Sequence, residues 1–222
     1  MLWEEQVPLL RQGFHKTLVE KAYGEFSQGK RVYPERHNVF KAMRLTSFEN
    51  ARVVIIGQDP YFNEHPTLGP EAHGLCFSVR EGIPAPPSLK NIFKEIDTSI
   101  YGGTKGMSFS TDLTRWATQG VLLLNASLTV IAKSPNSHAA LGWHTLTDDI
   151  IATLSNNKRN VVFMLWGAFA QKKAALIDEH KHLLLKTSHP SPLSASRGFL
   201  GSGVFSQCNK YLRENGLEPI EW

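Results

Sequence analysis

Three side chains stand where this sequence could do chemistry. They are Asp59 in Gln58-Asp59-Pro60, Asn125 after Val121-Leu122-Leu123-Leu124, and His189 in His189-Pro190-Ser191-Pro192. A carboxylate can stabilise a cation or take a proton from water. An imidazole gives or takes a proton near neutrality, and an amide reads the donor and acceptor pattern of a polar ring. Taken singly, each has a plainer reading: Asp59 as a helix cap or turn before Pro60, His189 as a turn residue bonded to nearby backbone, Asn125 as an Asx turn ending a strand. Their shared placement, each just after an apolar run, points instead to an enzyme or a binding site.

Those runs are the elements that must position them. Arg52-Val53-Val54-Ile55-Ile56, closed by Gly57, has the β-branched pattern of a strand buried on both faces, and residues 121–124, 161–165 and 183–185 repeat it. Helical spacing lies around and between them. Leu10, Phe14, Leu18, Ala22 and Phe26 recur at intervals of four and predict an N-terminal amphipathic helix; Val39, Phe40 and Met43 after Pro34 predict a short second one. Leu89, Ile92, Phe93 and Ile96 share one face, Leu146, Ile150, Ile151 and Leu154 another, and a further helix runs through Gln171 to Leu176. Strands alternating with helices predict a single α/β domain over residues 1–222, with a mostly parallel sheet covered by helices on both faces. In such a sheet ligands bind outside the carboxyl ends of the strands, so Asp59, Asn125, Gly167 and His189 converge on one crevice.

Composition narrows the class. At 222 residues, with 41% hydrophobic and 20% charged residues, the chain can bury a full core and is not of disordered type. No apolar run approaches the roughly 20 residues that span a bilayer. Met1-Leu2-Trp3-Glu4-Glu5 carries neither a basic start nor an apolar stretch, so no secretory signal is expected. The two separated cysteines, Cys76 and Cys208, suit a reducing compartment, and a cytoplasmic location is expected. A net charge of +4 leans towards an anionic partner. No metal-ligand spacing, no phosphate-binding Gly-rich loop and no dinucleotide fingerprint are present, Gly201-Ser202-Gly203 being too short a signal, so no cofactor and no metal are expected.

Several blocks in order resemble a known family. Gly57-Gln58-Asp59-Pro60-Tyr61, Ala72-His73-Gly74-Leu75-Cys76-Phe77-Ser78-Val79 and His189-Pro190-Ser191-Pro192-Leu193-Ser194 are similar to the signature blocks of family 1 uracil-DNA glycosylases. Leu122 to Asn125 resembles that family's uracil-reading strand. Ser137-His138 with Gly142-Trp143 and Thr147-Asp148 matches a further block, as does Trp166-Gly167 with Ala170 to Lys173. The resemblance runs from Val32-Tyr33-Pro34 to Pro219-Ile220-Glu221-Trp222.

The resemblance implies an enzyme that flips uracil out of DNA and hydrolyses its bond to the sugar, which is how glycosylases as a class reach a stacked base. It implies that Asp59 stabilises an oxocarbenium-like sugar and orients or deprotonates water, while neutral His189 donates to the uracil oxygen that gathers charge. Asn125 then reads N3 and O4, Phe77 stacks on the base, Tyr61 blocks the thymine methyl and Gln58 shapes the site. Leu193 is the implied wedge, with Ser88, Gly167, Ser191 and Arg197 on the DNA backbone. Uracil-containing DNA, single- or double-stranded, is the implied partner, a DNA-mimicking inhibitor protein a further one, and the chain is expected to be a monomer.

The sequence also departs from the family pattern. Phe62 stands where histidine is usual, Ala168 where serine is usual and Ser196 where an aromatic is usual, and residues 63–71 are longer than the usual connection. The base-reading residues are kept, while the backbone contacts are thinner. The rival reading is a glycosylase-fold DNA-binding accessory without catalysis, whose mark would be a changed Asp59 or His189. A zinc deaminase would need a His/Cys/Cys set with a glutamate, which is absent.

Overall fold

A computed structural model describes residues 2–25, 29–106 and 109–222. In chain order its strands are β1 (Val32–Tyr33), β2 (Val53–Gly57), β3 (Glu64–His65), β4 (Gly69–Pro70), β5 (Val121–Asn125), β6 (Val130–Ile131), β7 (Val162–Trp166) and β8 (Leu183–Thr187). The helices are α1 (Trp3–Gln6), α2 (Pro8–Arg11), α3 (Phe14–Gly24), α4 (Lys41–Leu45), α5 (Pro87–Tyr101), α6 (Thr114–Thr118), α7 (Trp143–Asn157), α8 (Gly167–Gln171) and α9 (Val204–Glu214).

The central sheet has four strands in the order β5-β2-β7-β8, and every pairing is parallel. β2, β5 and β7 are buried at every position, which requires cover on both faces; β8 is a half-buried edge. The apolar runs form these strands because β-branched and Leu side chains fill the space between sheet and helices. Leu89, Ile92, Phe93 and Ile96 of α5 and Leu146, Ile150, Ile151 and Leu154 of α7 join them in one core. The chain leaves β2 towards β5 and leaves β7 towards β8, so their following loops diverge and open a crevice at the carboxyl ends.

Several local expectations change. The N-terminal helix is broken into three pieces, because Pro8 starts α2 without a donor N–H and Gly13, at φ +78°, turns the chain before α3. Leu10, Leu18 and Ala22 are still buried; Phe26 lies outside the described residues. The second short helix is a 3-10 turn at Arg36–Asn38 followed by α4, and the stretch expected as a helix to Leu176 is α8 continued by a 3-10 turn at Lys172–Leu176. Phe77 sits in a loop turn. The longer segment 63–71 folds as the β3–β4 hairpin, closed by Glu71 N–H on the Asn63 carbonyl. The C-terminal helix α9 was not read from the sequence at all, although it buries Val204, Phe205, Cys208 and Leu212.

Candidate active site

The chemistry-bearing residues arrive from four strand ends. Asn125 is the last residue of β5, in register with Gly57, the last of β2. A Cβ on Gly57 would lie 2.2 Å from Asn125 Oδ1, so only glycine leaves room for that amide. Asn125 is 9% exposed, a polar group that buries its amide edge at the floor of the sheet's carboxyl end. Gln58 and Asp59 follow Gly57 directly. The Gln58 carbonyl accepts from Ser127 N–H at 2.9 Å, which pins the loop after β5 to the loop after β2.

Asp59 is half-buried. Its Oδ2 accepts the backbone N–H of Asn136 at 2.7 Å, and the Gln58 side-chain amide donates to Asn136 Oδ1 at 3.3 Å. Burial raises the Asp59 carboxyl above its ordinary value, and the Asn136 N–H works against that rise. Asn136 is the residue that sequence reasoning missed. Its φ of +60° is tolerated by Asn, and Ser134-Pro135-Asn136 does read as a turn. That the turn's N–H faces Asp59 depends on the β1–β6 ribbon that carries it.

His189 lies two residues beyond β8. Its Nδ1 accepts the Ser191 N–H at 3.0 Å, and burial lowers its pKa, so the ring is neutral with its proton on Nε2. Gly167 opens α8 at φ +83° and packs so closely that a Cβ there would lie 2.9 Å from His189 Cβ. The His189 loop is braced within itself: Ser194 Oγ donates to the His189 carbonyl at 2.8 Å and Ser188 Oγ to the Ser194 carbonyl at 2.8 Å. Asn91 of α5 donates to the Pro190 carbonyl at 2.8 Å. At the tip of this loop Leu193 is 85% exposed.

Phe77 has a φ of +62°, uncommon for a bulky residue and characteristic of functional sites. Its ring lies 5.4 Å from that of Trp166 and 5.8 Å from that of His189, and its carbonyl accepts the Tyr61 hydroxyl at 3.2 Å. Burial pushes the Tyr61 hydroxyl pKa up, so it stays protonated.

A cleft of about 280 Å³ is lined by Gln58, Asp59, Tyr61, Phe77, Ser88, Asn125 and His189, with Phe62 and Ala72 at its border. The structure therefore gathers all six residues expected to act on the base, together with Ser88 at the start of α5. Gly167, Ser191, Leu193 and Arg197 do not line the cleft. Gly167 and Ser191 touch His189, while Leu193 and Arg197 are exposed beside it. Among the described residues no cluster of metal-binding side chains occurs.

Parallel strands whose carboxyl ends bring a carboxylate, an amide, a neutral imidazole and two aromatic rings to one cleft define an enzyme that holds a flat polar ring beside an acid–base pair. Residues 44–213 match the model of the uracil DNA glycosylase superfamily, and the chain belongs to that superfamily. It is 50% identical over 212 residues to a uracil-DNA glycosylase of Yersinia enterocolitica, covering 95% of this chain and 90% of that one. A uracil-DNA glycosylase of Oleidesulfovibrio alaskensis is 48% identical over 225 residues, with 99% and 94% covered. Among solved structures, mimivirus uracil-DNA glycosylase superposes with a TM-score of 0.88 at 28% identity, covering 94% of this chain and 81% of that one. A variant of the mimivirus protein in complex with UGI also gives 0.88, at 28% identity, with 94% and 82% covered.

Proposed function

We propose that the protein hydrolyses the N-glycosidic bond of deoxyuridine in DNA, releasing uracil and leaving an abasic site for base excision repair. The observation that carries this reading is the one cleft that Asn125, Phe77, Tyr61, Asp59 and His189 line together, an amide and two aromatic rings suited to a flat polar base beside a carboxylate and an imidazole suited to act on its bond to the sugar. The sugar becomes cationic as the bond lengthens, and the Asp59 carboxylate stabilises that charge and orients the attacking water. The departing uracil becomes anionic. His189 meets it with the Nε2 proton, because Ser191 N–H already occupies Nδ1. Neutrality matters here: a neutral donor stabilises the developing anion without placing a second cation beside the sugar. No step calls for a cofactor.

Asn125 reads the base through N3 and O4, Phe77 stacks on its face, Tyr61 excludes a C5 methyl and Gln58 holds Asn136 against Asp59. Ser88, Ser191, Gly167 and Arg197 contact the DNA backbone, and exposed Leu193 fills the gap left in the stack. The protein acts as a monomer in a reducing cytoplasm, where Cys76 and Cys208 stay buried thiols. A DNA-mimicking inhibitor protein would use the same exposed face as DNA.

Release of free uracil from a single-uracil oligonucleotide, measured with EDTA present, tests the activity. Asp59→Asn is expected to cut the single-turnover rate by about 100- to 10,000-fold while leaving binding to abasic-site DNA largely intact. Equal losses in rate and binding would make Asp59 a structural residue.

A further inference from the structure

We infer that His73 is a positioning residue for this reaction, acting through Ser78 to hold the base-stacking ring of Phe77 in its strained place. The inference rests on the reading of Phe77 as the stacking residue.

His73 is 3% exposed and lies outside the acid–base chemistry. The Lys41 ammonium of α4 donates to His73 Nδ1 at 2.7 Å, so the ring proton sits on Nε2, which donates to Ser78 Oγ at 2.6 Å. Ser78 Oγ also accepts the Leu113 N–H at 2.9 Å and donates to the Thr111 carbonyl at 3.2 Å. Every hydrogen-bonding capacity of that hydroxyl is then used. The ring is held neutral: burial and then the Lys41 charge lower its pKa to about 4, Asp112 at 3.9 Å acts the other way, and Arg80 lowers it further.

The relay matters because of what stands between its ends. Phe77 keeps a positive φ, which persists only where its surroundings over-determine it. On the side before it, Cys76 N–H donates to the Leu123 carbonyl at 3.2 Å and fixes the chain to β5. On the side after it, the Ser78 hydroxyl and the Val79 N–H, which donates to the Thr111 carbonyl at 3.1 Å, are the anchors, and His73 and Lys41 complete the one at Ser78. Without the imidazole, Ser78 loses a donor, the half-buried Lys41 ammonium loses an acceptor, and the loop can relax towards an ordinary φ that turns the ring away from the cleft.

The test measures kcat, KM and inhibition by free uracil on a single-stranded uracil oligonucleotide. The chains compared are wild type, His73→Ala, His73→Gln, Phe77→Ala and the Phe77→Ala/His73→Ala pair. His73→Ala is expected to lower kcat/KM about tenfold and to raise the inhibition constant of free uracil by a similar factor. His73→Gln, whose amide can accept from Lys41 and donate to Ser78, recovers most of both. On the Phe77→Ala background His73→Ala adds less than about twofold, because its effect passes through the ring. A full additional loss in the paired variant, or a tenfold fall in rate with unchanged uracil inhibition, overturns the inference and leaves the Phe77 reading standing. If Phe77→Ala itself is as active as wild type, the stacking reading fails and the inference falls with it. Should His73→Ala not fold, Ser78→Ala takes its place in the same cycle.

Discussion

On the proposed reading, discrimination between pyrimidines divides between two side chains with different physics. The Asn125 amide packs against Gly57, where any side chain would collide with it, and its oxygen and nitrogen would present one hydrogen-bond pattern to the base edge. Cytosine reverses that pattern. Asn125→Asp is therefore expected to gain measurable release of free cytosine while losing uracil activity. Tyr61 would work by bulk: its hydroxyl is tied to the Phe77 carbonyl at 3.2 Å, which opposes a swing of the ring aside for a C5 methyl. Tyr61→Ala is expected to release free thymine from a matched oligonucleotide. Variants that lose uracil activity and gain neither base would remove these assignments. Leu193 is a third residue-scale case. Its 85% exposure means that truncation removes no core contact, so the loss of fold stability in Leu193→Ala is small. The effect should fall on duplex substrate, where a base must be unstacked, and much less on single strands. Equal slowing on both substrates would refute the wedge.

At the scale of elements, the departures from the family pattern acquire reasons. Phe62 is not merely a missing donor. It packs against the buried cluster of Tyr33, Ala72 and Val130, and its carbonyl accepts the Lys133 N–H at 2.8 Å. The β3–β4 hairpin adds Glu64, which accepts from the Tyr33 hydroxyl at 2.5 Å and pairs with Arg31 at 2.8 Å. Both ties hold the hairpin to the β1–β6 ribbon, whose following loop presents Asn136 to Asp59. The extra segment thus does structural duty at the corner it enlarges. Phe62→His is expected to cost about 1–2 kcal/mol of stability and to leave kcat/KM no higher than wild type. Ala168 is exposed on α8. Ala168→Ser is expected to tighten DNA binding about 10-fold or more, as an added hydrogen bond to phosphate should. If Phe62→His alone raises kcat/KM, the hairpin does not compensate for the missing histidine. The other matched blocks turn out to be scaffold: His138 and Trp143 meet at the Thr129 hydroxyl, and Lys173 pairs with Asp148 at 2.6 Å.

Over the whole molecule, the buried histidines make acid stability predictable. His15, His73, His138, His144, His182 and His189 all have pKa values lowered chiefly by burial. Each binds its proton less readily folded than unfolded, so the unfolded chain takes up more protons as pH falls below about 6.5. Stability is therefore full above that value and is lost as pH drops towards the folded pKa values. A melting temperature lower by about 5 °C or more at pH 5 than at pH 7 is expected. An unchanged melting temperature over that range would mean these rings titrate as in the unfolded chain. The C-terminal helix α9 is bound through an aromatic chain in which its Phe205 meets Trp166 at 5.9 Å and Trp222 at 4.9 Å. The same Trp166 ring touches Phe77, so the C-terminal packing and the cleft share a wall.

From the sequence alone the four strands of the central sheet, their parallel arrangement and the convergence of Asp59, Asn125 and His189 were all legible, whereas the half-buried edge position of β8 was not. Apolar runs and the residues that end them are local properties, and the carboxyl-end rule then places those ends together. The roles proposed for the base-reading residues and for Leu193 come from the family resemblance, which suggests what spacing cannot; the structure brings Tyr61, Phe77 and Asn125 to one cleft and leaves Leu193 exposed. What stayed illegible depends on groups far apart in the chain. The turn at Asn136 could be read, but its N–H reaches Asp59 only because β1 pairs with β6. The tautomer of His189 is decided by a backbone donor two residues on, in a loop whose shape is held by α5. The left-handed conformation of Phe77 has no local signal, since phenylalanine avoids it; the sheet on one side and the Lys41–His73–Ser78 relay on the other impose it. Local composition determined which elements form and which side chains end them, whereas the direction of each proton and ring was decided by contacts that exist only once the core has closed.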